Sequence, residues 1–305
     1  RTSTPNTSRI DHIFDSINFK NKNLILHHGD LSDTGSLYRI INEVNPDEIY
    51  NLAAQSHVKI SFQIPENTSD INALGPLRIL EIIRHYKKKK IKFYQASSSE
   101  MFGKSKPPQN EKTLFKPRSI YAISKVFAYH NVIHYREAYN LHACNGILFN
   151  HESPRRGVNF VTKKIVQGLI RIKKGEQKTL ILGNLYAKRD WGHAKDYVDS
   201  MWKILQNKKA DDFVIATKTS KSVKDFINIC AKKLNIKLKW KFKGLREIAI
   251  DKNTKKIVIK VDKKYFRETE VDNLNGDYKK AKKILKWKPK FSFDKLVDDM
   301  IKNES

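Results

Sequence analysis

The sequence predicts an α/β protein built on a doubly wound parallel sheet, with a smaller lobe in the second half of the chain. Over the first two-thirds of the 305 residues, short apolar runs alternate with longer segments in which apolar residues recur at helical spacing. Alternation of this kind is typical of parallel strands joined by crossover helices. After about residue 150 the units become less regular. With 39% hydrophobic residues, the chain can bury a large core.

The predicted elements follow from these patterns in chain order. The strands of the first part are predicted at residues 23–28, 48–53, 91–96 and 141–149. Its helices are predicted at residues 34–44, 67–86 and 121–139. In the second part we predict helices at 160–174, 195–206 and 223–234, two more around Trp287, and strands at 179–182, 213–216 and 257–261. We predict two domains, residues 1–150 and 151–305, the second partly interwoven with the first.

The beginning of the sequence departs from this pattern. A sheet that binds a dinucleotide ordinarily opens with a strand and a Gly-rich turn, whose backbone amides and following helix N-terminus hold the pyrophosphate. No Gly-x-x-Gly-x-x-Gly occurs in the chain, which starts at Arg1. We therefore expect the predicted sheet to be truncated at its N-terminus by one βα unit, roughly 30 residues long.

The composition narrows the possible partners. The formal net charge is +28, and 47 of the 60 cationic residues are Lys, without the Arg and aromatic interleaving that reads bases. We therefore expect no nucleic acid partner, and a local field that attracts an acidic nucleotide. No apolar run reaches the roughly 18 residues of a membrane helix, so we expect a soluble, cytoplasmic protein with no membrane partner. Cys144 and Cys230 lie in apolar stretches, which favours buried thiols over a metal site.

Tyr121 and Lys125 are the first candidate catalytic residues. A spacing of four places both side chains on one face of a helix, one turn apart. A phenol needs neighbouring positive charge to act as a base near neutral pH, and Lys125 supplies it. The spacing alone is weak evidence, because it also occurs at Tyr86/Lys90 and Tyr278/Lys282, where an exposed Lys-rich helix face is the simpler interpretation.

Context distinguishes Tyr121 from the other two tyrosines. It follows a predicted strand that ends at Gln-Ala-Ser-Ser-Ser-Glu (95–100), so strand end and helix start can meet at one crevice. Ser98 and Glu100 lie at that strand's carboxyl end, where a hydroxyl and a carboxylate could contact a sugar oxygen and move a proton. Helix or turn capping is the alternative interpretation for both residues.

Longer motifs make the sequence resemble the extended short-chain dehydrogenase/reductases with a Rossmann-like fold, and among them the GDP-mannose 4,6-dehydratase family. The motifs are Gly-Asp-Leu-Ser-Asp (29–33), Tyr-Asn-Leu-Ala-Ala-Gln-Ser-His-Val (50–58), Tyr-Gln-Ala-Ser-Ser-Ser-Glu-Met-Phe-Gly (94–103), Tyr-Ala-Ile-Ser-Lys (121–125), Phe-Asn-His-Glu-Ser-Pro-Arg-Arg-Gly (149–157), Ala-Lys-Arg-Asp-Trp-Gly-His-Ala-Lys-Asp-Tyr-Val (187–198) and Val-Asp-Asn-Leu-Asn-Gly-Asp (271–277). The resemblance covers almost the whole chain. It implies a lyase that converts GDP-mannose to GDP-4-keto-6-deoxymannose with NADP as cofactor.

The resemblance also implies roles for individual residues. Tyr121 would be the base at the sugar 4-hydroxyl, Lys125 its electrostatic partner and ribose contact, and Ser98 with Glu100 the remaining catalytic pair. The implied NADP-binding residues are Arg1, Asp30, Leu31, Leu52, Ala53, Ala54, Gln55, Ser56, His151 and Arg156. The implied GDP-mannose-binding residues are Asn150, Lys164, Arg189, Arg267 and Glu270, where guanidinium groups suit diphosphate oxygens. A homodimer or homotetramer is also implied.

Four positions depart from the family pattern. Ser98 stands where Thr is usual, which keeps the hydroxyl and loses a methyl. Asn67 replaces an expected Tyr, Tyr186 an expected Asp and Glu268 an expected Pro. These changes leave the predicted chemistry in place and bear on affinity.

Two alternative functions remain open on sequence grounds. A sugar-nucleotide epimerase or reductase would use the same Tyr/Lys pair, but it does not need a carboxylate placed as Glu100 is. A non-catalytic protein that binds polyanions would instead use the charge of the whole surface.

Overall fold

The computed structural model describes residues 7–14 and 24–304 of the chain. Its α-helices are α1 Asp11–Phe14, α2 Thr34–Val44, α3 Pro65–Ser69, α4 Gly75–His85, α5 Ile120–Tyr139, α6 Val161–Lys174, α7 Ala194–Gln206, α8 Val223–Lys233, α9 Lys279–Leu285 and α10 Phe293–Lys302. Its strands are β1 Glu48–Asn51, β2 Lys92–Ser98, β3 Ala143–Leu148, β4 Asn150–Glu152, β5 Leu180–Leu182, β6 Lys188–His193, β7 Phe213–Ile215, β8 Ser220–Ser222, β9 Leu238–Lys241, β10 Ile248–Asp251 and β11 Ile257–Val261.

A parallel sheet in the order β1-β2-β3-β7 is the scaffold of the first part. Adjacent residues of β2 enter different cores, because side chains alternate across a strand. Phe93 packs with Ile79 and Val132 on one face, whereas Tyr94 packs with Tyr197 on the other. Helices therefore cover both faces of the sheet, as the sequence predicts. Its fourth strand, β7, comes from the second half of the chain.

Local sequence signals determine where α5 begins and ends. This helix starts at the carboxyl edge of the parallel sheet. Ser119 caps α5, its side chain accepting a hydrogen bond from the Ala122 amide at 3.1 Å. The helix ends at Asn140, which adopts the left-handed conformation (φ 53°) common after a helix C-terminus. Both ends of α5 are thus encoded locally, and its start lies just ahead of Tyr121.

The helical segment 65–85 contains a π-helical turn, Asp70–Leu74, between α3 and α4. Asn72 in that turn accepts a hydrogen bond from the Gln55 amide at 2.8 Å and donates to the Gln55 carbonyl at 2.9 Å. Since Asn72 is fully buried, this pair of bonds fixes the backbone that leaves β1.

The second part of the chain forms a mixed sheet, β5-β11-β10-β9, and a small sheet, β4-β6-β8. Helices α6, α8 and α10 pack together around a core that includes Ile165, Trp191, Phe226 and Ile259. Ser222 and Asp225 form a capping box at the start of α8. The β4 and β6 strands pair in parallel, which brings Asn150 beside Trp191.

Most predicted elements are confirmed to within a few residues. The predicted strand at 23–28 is wrong over its described residues, because 24–28 have no strand pairing and a strand requires a hydrogen-bonded neighbour. The short strands β4, β6, β8, β9 and β10 were missed. Three of them run through charged or polar stretches such as Lys188–His193, whose burial comes from tertiary packing that periodicity does not report.

Three expectations from composition concern membrane helices, the two cysteines and metal sites. No helix among the described residues is long and apolar enough to cross a membrane. Cys144 and Cys230 are both buried and unpaired, and burial raises the pKa of the Cys144 thiol to about 11. Within the same ranges, no group of three or more His, Cys, Asp or Glu side chains is arranged to hold a metal ion.

The salt bridge between Arg136 and Asp212 gives a stability prediction. The two guanidinium nitrogens lie 3.0 and 2.7 Å from the two Asp212 oxygens, and Asp212 also accepts from Asn145. We expect Arg136→Gln to lower the free energy of unfolding by about 3 kcal/mol, because it leaves a buried carboxylate without its cation. Urea denaturation at pH 7 measures this loss.

The exposed pair Arg39–Glu43 is the matched control, with exposed side-chain fractions of 57% and 56%. Arg39→Gln should lower the free energy of unfolding by less than about 1 kcal/mol. Equal losses in the two variants would contradict the importance given to the buried pair.

Candidate active site

The carboxyl end of β2 places Ser98 and Glu100 at the edge of the parallel sheet. Ser98 is the last residue of the strand, and its hydroxyl accepts a hydrogen bond from the Glu100 amide at 3.2 Å. A 3₁₀ turn, Ser99–Phe102, follows and buries Glu100 to 8% exposure. Ser98 therefore caps a turn, the alternative considered from sequence, while its side chain also contacts Tyr121.

Tyr121 and Lys125 lie one turn apart at the start of α5, as their spacing predicts. The Lys125 ammonium donates a hydrogen bond to the Ala96 carbonyl at 2.8 Å and lies 6.0 Å from the centre of the Tyr121 ring. Burial lowers the pKa of Lys125 to about 8. This group remains largely protonated at neutral pH, because its pKa is about one unit higher.

The groups around the Tyr121 phenol shift its pKa in opposing directions. Burial is the largest influence and raises its pKa, and the Glu100 carboxylate adds to that rise. A hydrogen bond from Ser98 and the positive charge of Arg156 lower the pKa in part. The net pKa is above the ordinary tyrosine value, so a catalytic phenolate needs more positive charge than these side chains provide.

Two arginines from the second part of the chain reach Glu100. Arg267 Nη1 lies 3.4 Å from Glu100 Oε1, and Arg189 Nε lies 3.8 Å from the same oxygen. Arg189 is buried and also donates to the Val271 carbonyl at 2.7 Å. The carboxylate after β2 is thereby linked to β6 and to the segment that follows β11.

These groups line one cavity of about 520 Å³ between the parallel sheet and the second part of the chain. All four predicted catalytic residues are in its wall: Ser98, Glu100, Tyr121 and Lys125. So are all five predicted substrate-binding residues: Asn150, Lys164, Arg189, Arg267 and Glu270. Ser98 and Glu270 therefore lie in one site although they are 172 positions apart in the sequence.

The predicted cofactor residues that the structure describes divide into two groups. Leu52, Ala54, Ser56, His151 and Arg156 line the cavity. Ala53, Gln55, Asp30 and Leu31 do not, and Arg1 lies outside the described residues. Leu52 and Ala53 are exposed at the carboxyl end of β1, so their backbone is accessible along that edge.

Asp30 and Leu31 make structural contacts near the start of α2. The Asp30 carboxylate accepts from the Ser32 amide at 2.9 Å and from its hydroxyl at 2.7 Å. The Leu31 side chain belongs to the core on one face of the parallel sheet, and its carbonyl accepts from Arg78. These contacts hold both residues in place, and the cofactor role that the resemblance implies for them stays a prediction.

His151 and Arg156 are held by separate contacts. The His151 ring stacks on Tyr197 at 4.7 Å, and burial lowers its pKa to about 4, so it is neutral at pH 7. Arg156 Nε lies 3.0 Å from a Glu152 oxygen, and its guanidinium lies 3.5 Å from the Phe160 ring centre. Arg156 is thus a cation held at the cavity wall.

The substrate-side residues are tied to backbone and to one another. Lys164 donates to the Ile181 carbonyl at 2.8 Å and lies 4.0 Å from the Tyr265 ring centre. Glu270 accepts from the Arg267 amide at 3.1 Å. Asn150 begins β4, the strand beside β6.

The remaining motif positions have simpler environments. Asn67 is exposed on α3, and Glu268 directly follows Arg267. Neither residue lines the cavity. Tyr86 and Tyr278, the other tyrosines with a lysine four residues later, also lie outside it. Tyr86 lies one residue beyond the end of α4. The Tyr86/Lys90 pair is therefore not on a helix, contrary to the sequence prediction.

The cavity residues that the sequence analysis did not assign to the site include His57, Lys59, Asn184 and Tyr265. His57 directly follows Ser56, so the motif 50–58 could have indicated it. Asn184 and Tyr265 carry no motif signal. They follow β5 and β11, two neighbouring parallel strands, whose carboxyl ends lead both residues to the wall.

Comparison with known proteins gives consistent relatives. A family model described as GDP-mannose 4,6 dehydratase matches residues 1–300. GDP-mannose 4,6 dehydratase of Drosophila melanogaster is 50% identical over 305 residues, covering 99% of this chain and 77% of that protein. The human protein of that name is 50% identical over 304 residues, covering 99% and 82%. The Vibrio cholerae protein is 49% identical over 316 residues, covering 100% and 85%.

Solved structures at lower identity share the fold. RMD from Pseudomonas aeruginosa, complexed with NADPH, superposes with a TM-score of 0.78 at 21% identity, over 92% of this chain and 88% of that one. dTDP-glucose 4,6-dehydratase from Bacillus anthracis, in complex with NAD, has a TM-score of 0.77 at 20% identity, over 99% and 85%. The family match over residues 1–300 and the relatives that are 50% identical establish that the chain belongs to the GDP-mannose 4,6-dehydratase family.

Proposed function

We propose that this protein is a hydro-lyase that converts GDP-mannose to GDP-4-keto-6-deoxymannose and water. The observation that carries this proposal is the grouping of Tyr121, Ser98 and Glu100 in one cavity wall, with two arginines against the Glu100 carboxylate. A phenol base, a hydroxyl and a carboxylate are what an oxidation followed by an elimination needs. The names of relatives that are about half identical support the same substrate.

The residues present fit the nicotinamide end of a dinucleotide, which we propose to be NADP. Lys125 offers a buried ammonium 6.0 Å from the centre of the Tyr121 ring, to which a ribose hydroxyl could bind. Exposed backbone at 52–54 continues along the edge of the sheet, and Arg156 adds a cation. A nicotinamide, when bound, supplies reversible hydride storage, and its oxidised form adds positive charge near the phenol.

The first step would use Tyr121 as the base. Its phenolate takes the proton of the sugar 4-hydroxyl as C4 is oxidised to a ketone, and Lys125 stabilises the negative charge. The ketone makes the hydrogen at C5 acidic. Glu100 then removes the C5 proton, and Ser98 with Glu100 delivers a proton to the departing 6-oxygen, which leaves as water. Reduction at C6 and protonation at C5 complete a reaction whose net change is the loss of one water.

Cations and polar groups beyond Glu100 suit the nucleotide part of the substrate. Arg189 and Arg267 present guanidinium groups, which pair well with diphosphate oxygens. Lys164 adds a further cation, and Asn150 and Glu270 add an amide and a carboxylate. We propose that these five residues bind GDP-mannose.

The Glu100→Gln variant tests the elimination step. It keeps the side-chain size and removes the base, so we expect product formation to fall by about 100-fold or more. Mass spectrometry of the product, which is lighter than GDP-mannose by one water, measures the rate. In deuterium oxide, the deuterium that the wild type incorporates at C5 should fall in parallel, since Glu100 acts at that carbon.

Glu66→Gln, on exposed α3, makes the same chemical change away from the cavity and should leave the rate unchanged. A Glu100→Gln enzyme that forms product at the normal rate would exclude Glu100 as the base. A product of unchanged mass, or one heavier by two hydrogens, would favour an epimerase or a reductase instead.

We also propose that the chain assembles as a homodimer or homotetramer through α5 and the helical segment 65–85. Ile123 and Phe127 lie one turn apart on α5 with exposed fractions of 51% and 44%. Ile64, directly before the helical segment 65–85, and Leu74, within it, are each 41% exposed. Helix α5 packs on this segment, and exposed apolar side chains on packed helices are typical of interfaces.

Phe127→Asp should dissociate the assembly into monomers, because it places a charge in the apolar contact. Size-exclusion chromatography with light scattering measures the mass. Trp202→Asp makes a similar change at a 56% exposed aromatic residue on α7 and should leave the mass unchanged. An unchanged mass for Phe127→Asp would place the interface elsewhere.

A further inference from the structure

The sheet β5-β11-β10-β9 has a core face and an outer face. Ile259 belongs to the core that α6, α8 and α10 enclose. Because side chains alternate along a strand, the next residue, Lys260, points to the outer face. Its register partners there are Ile181, which is 38% exposed, and Ile248. Lys241 lies beyond Ile248 on β9, so isoleucine and lysine side chains alternate across the four strands of this face.

The segment 237–260, which forms β9, β10, β11 and their turns, has a wholly cationic surface. Its two acidic residues are buried and have partners of their own: Glu247 lies 2.6 Å from Lys224, and Asp251 accepts from the Thr254 hydroxyl at 2.9 Å. Nine cationic side chains of the segment are exposed, and none of them is paired with a carboxylate of the described chain: Lys237, Lys239, Lys241, Lys243, Arg246, Lys252, Lys255, Lys256 and Lys260. This part of the surface therefore has an uncompensated positive potential.

Two large apolar side chains are exposed in the turn between β9 and β10. Phe242 is 67% exposed and Leu245 is 54% exposed. Phe242 has φ 61°, a left-handed conformation that bulky residues rarely adopt. Lysines such as Lys239 and Lys241 protect an edge strand like β9 from pairing with another chain, but that role needs no exposed apolar residues. The turn therefore presents apolar side chains to a surface outside this chain.

A groove of about 360 Å³ lies at the same edge of the sheet, between the end of α8 and β9. Its polar side chains are Asn228, Lys232, Asn235 and Lys237. Asn228 Oδ1 accepts from the Trp240 indole at 2.8 Å, so its Nδ2 is left to donate to a ligand. Two ammonium groups and amide donors in one groove suit a phosphate group.

We propose that residues 237–260 and this groove, together called the hairpin surface, bind a membrane surface that carries anionic phospholipids. The lysines contact the lipid phosphates, the groove takes one headgroup, and Phe242 and Leu245 enter the boundary between headgroups and acyl chains. The sequence-based expectation of no membrane partner rests on the absence of a long apolar run, which a contact with the membrane surface does not require.

Nucleic acid matches the hairpin surface less well than lipid does. Arg246 is the one arginine among the nine exposed cations, and Phe242 is the one exposed aromatic residue of the segment. Proteins that bind single strands stack several aromatic side chains on the bases. No residue of the hairpin surface lines the catalytic cavity, so the inference does not depend on the proposed function.

The double variant Lys241→Glu/Lys243→Glu tests the electrostatic part of the contact. Cosedimentation of the chain with vesicles of phosphatidylcholine, with or without about 30% phosphatidylserine, gives the partition coefficient at physiological salt. We expect the wild type to bind the anionic vesicles at least about tenfold more tightly than the neutral ones. The variant should bind the anionic vesicles about tenfold more weakly than the wild type, because two attractive charges become repulsive.

Lys282→Glu/Lys283→Glu is the matched control. It makes the same change of charge at two exposed lysines of α9, a helix that packs on β7 of the first sheet. Its partition coefficient should stay within about threefold of the wild-type value, because distant charges are screened. Equal losses in the two variants, or no preference of the wild type for anionic vesicles, would overturn the inference.

Phe242→Asn/Leu245→Ser tests the apolar part of the contact. It keeps all nine cations, and asparagine tolerates the left-handed conformation at position 242. We expect binding to anionic vesicles to fall by about fivefold or more, since less apolar surface leaves water. Trp202→Ser, at a 56% exposed residue of α7, should bind as the wild type does. Unchanged binding of the Phe242/Leu245 variant would contradict insertion, and tighter wild-type binding to a DNA duplex than to anionic vesicles would make nucleic acid the partner instead.

Discussion

The hydrogen bond from the Lys125 ammonium to the Ala96 carbonyl joins the two elements that carry the proposed chemistry. It fixes the first turn of α5 against the end of β2, and so sets Tyr121 beside Ser98. A buried ammonium keeps such a contact because leaving it unpaired would be costly. The same burial lowers the pKa of Lys125 to about 8. The hydrogen bond therefore sets the geometry of this part of the site, and burial sets the pKa of its cation.

The other side of the site depends on a second anchored element, β6. Asp190 is fully buried and accepts hydrogen bonds from the Thr217 and Gly276 amides, which ties β6 to two loops. Burial raises its pKa to about 6. Its neighbour Arg189 points to the opposite face of the strand and reaches Glu100, as the alternation of side chains requires. The site thus needs both sheets, because each supplies groups that the other lacks.

The sequence predicts the elements that have strong local signals, and less where tertiary contacts decide. Helix α5 follows from its apolar spacing, and the Tyr121/Lys125 pair lies on it as its position in the sequence predicts. By contrast, β6 is rich in charged residues and its burial depends on partners far along the chain. The cofactor roles of Asp30 and Leu31 come only from the resemblance and stay a prediction, since the described contacts of both residues are within the fold. Asn184 could not be placed at the cavity from sequence, because the loop after β5 reaches the wall by packing on Tyr265.

The net charge of +28 does not identify the cations that matter, because most lysines lie on the surface. The cavity cations are each held by a partner within the site or its wall. Arg189 and Arg267 face Glu100, Arg156 faces Glu152, and Lys164 contacts the Ile181 carbonyl. Each partner holds its cation in a defined place, so the field in the cavity is preorganised for an anion. Position within this set, more than total charge, makes the cavity suited to a nucleotide diphosphate.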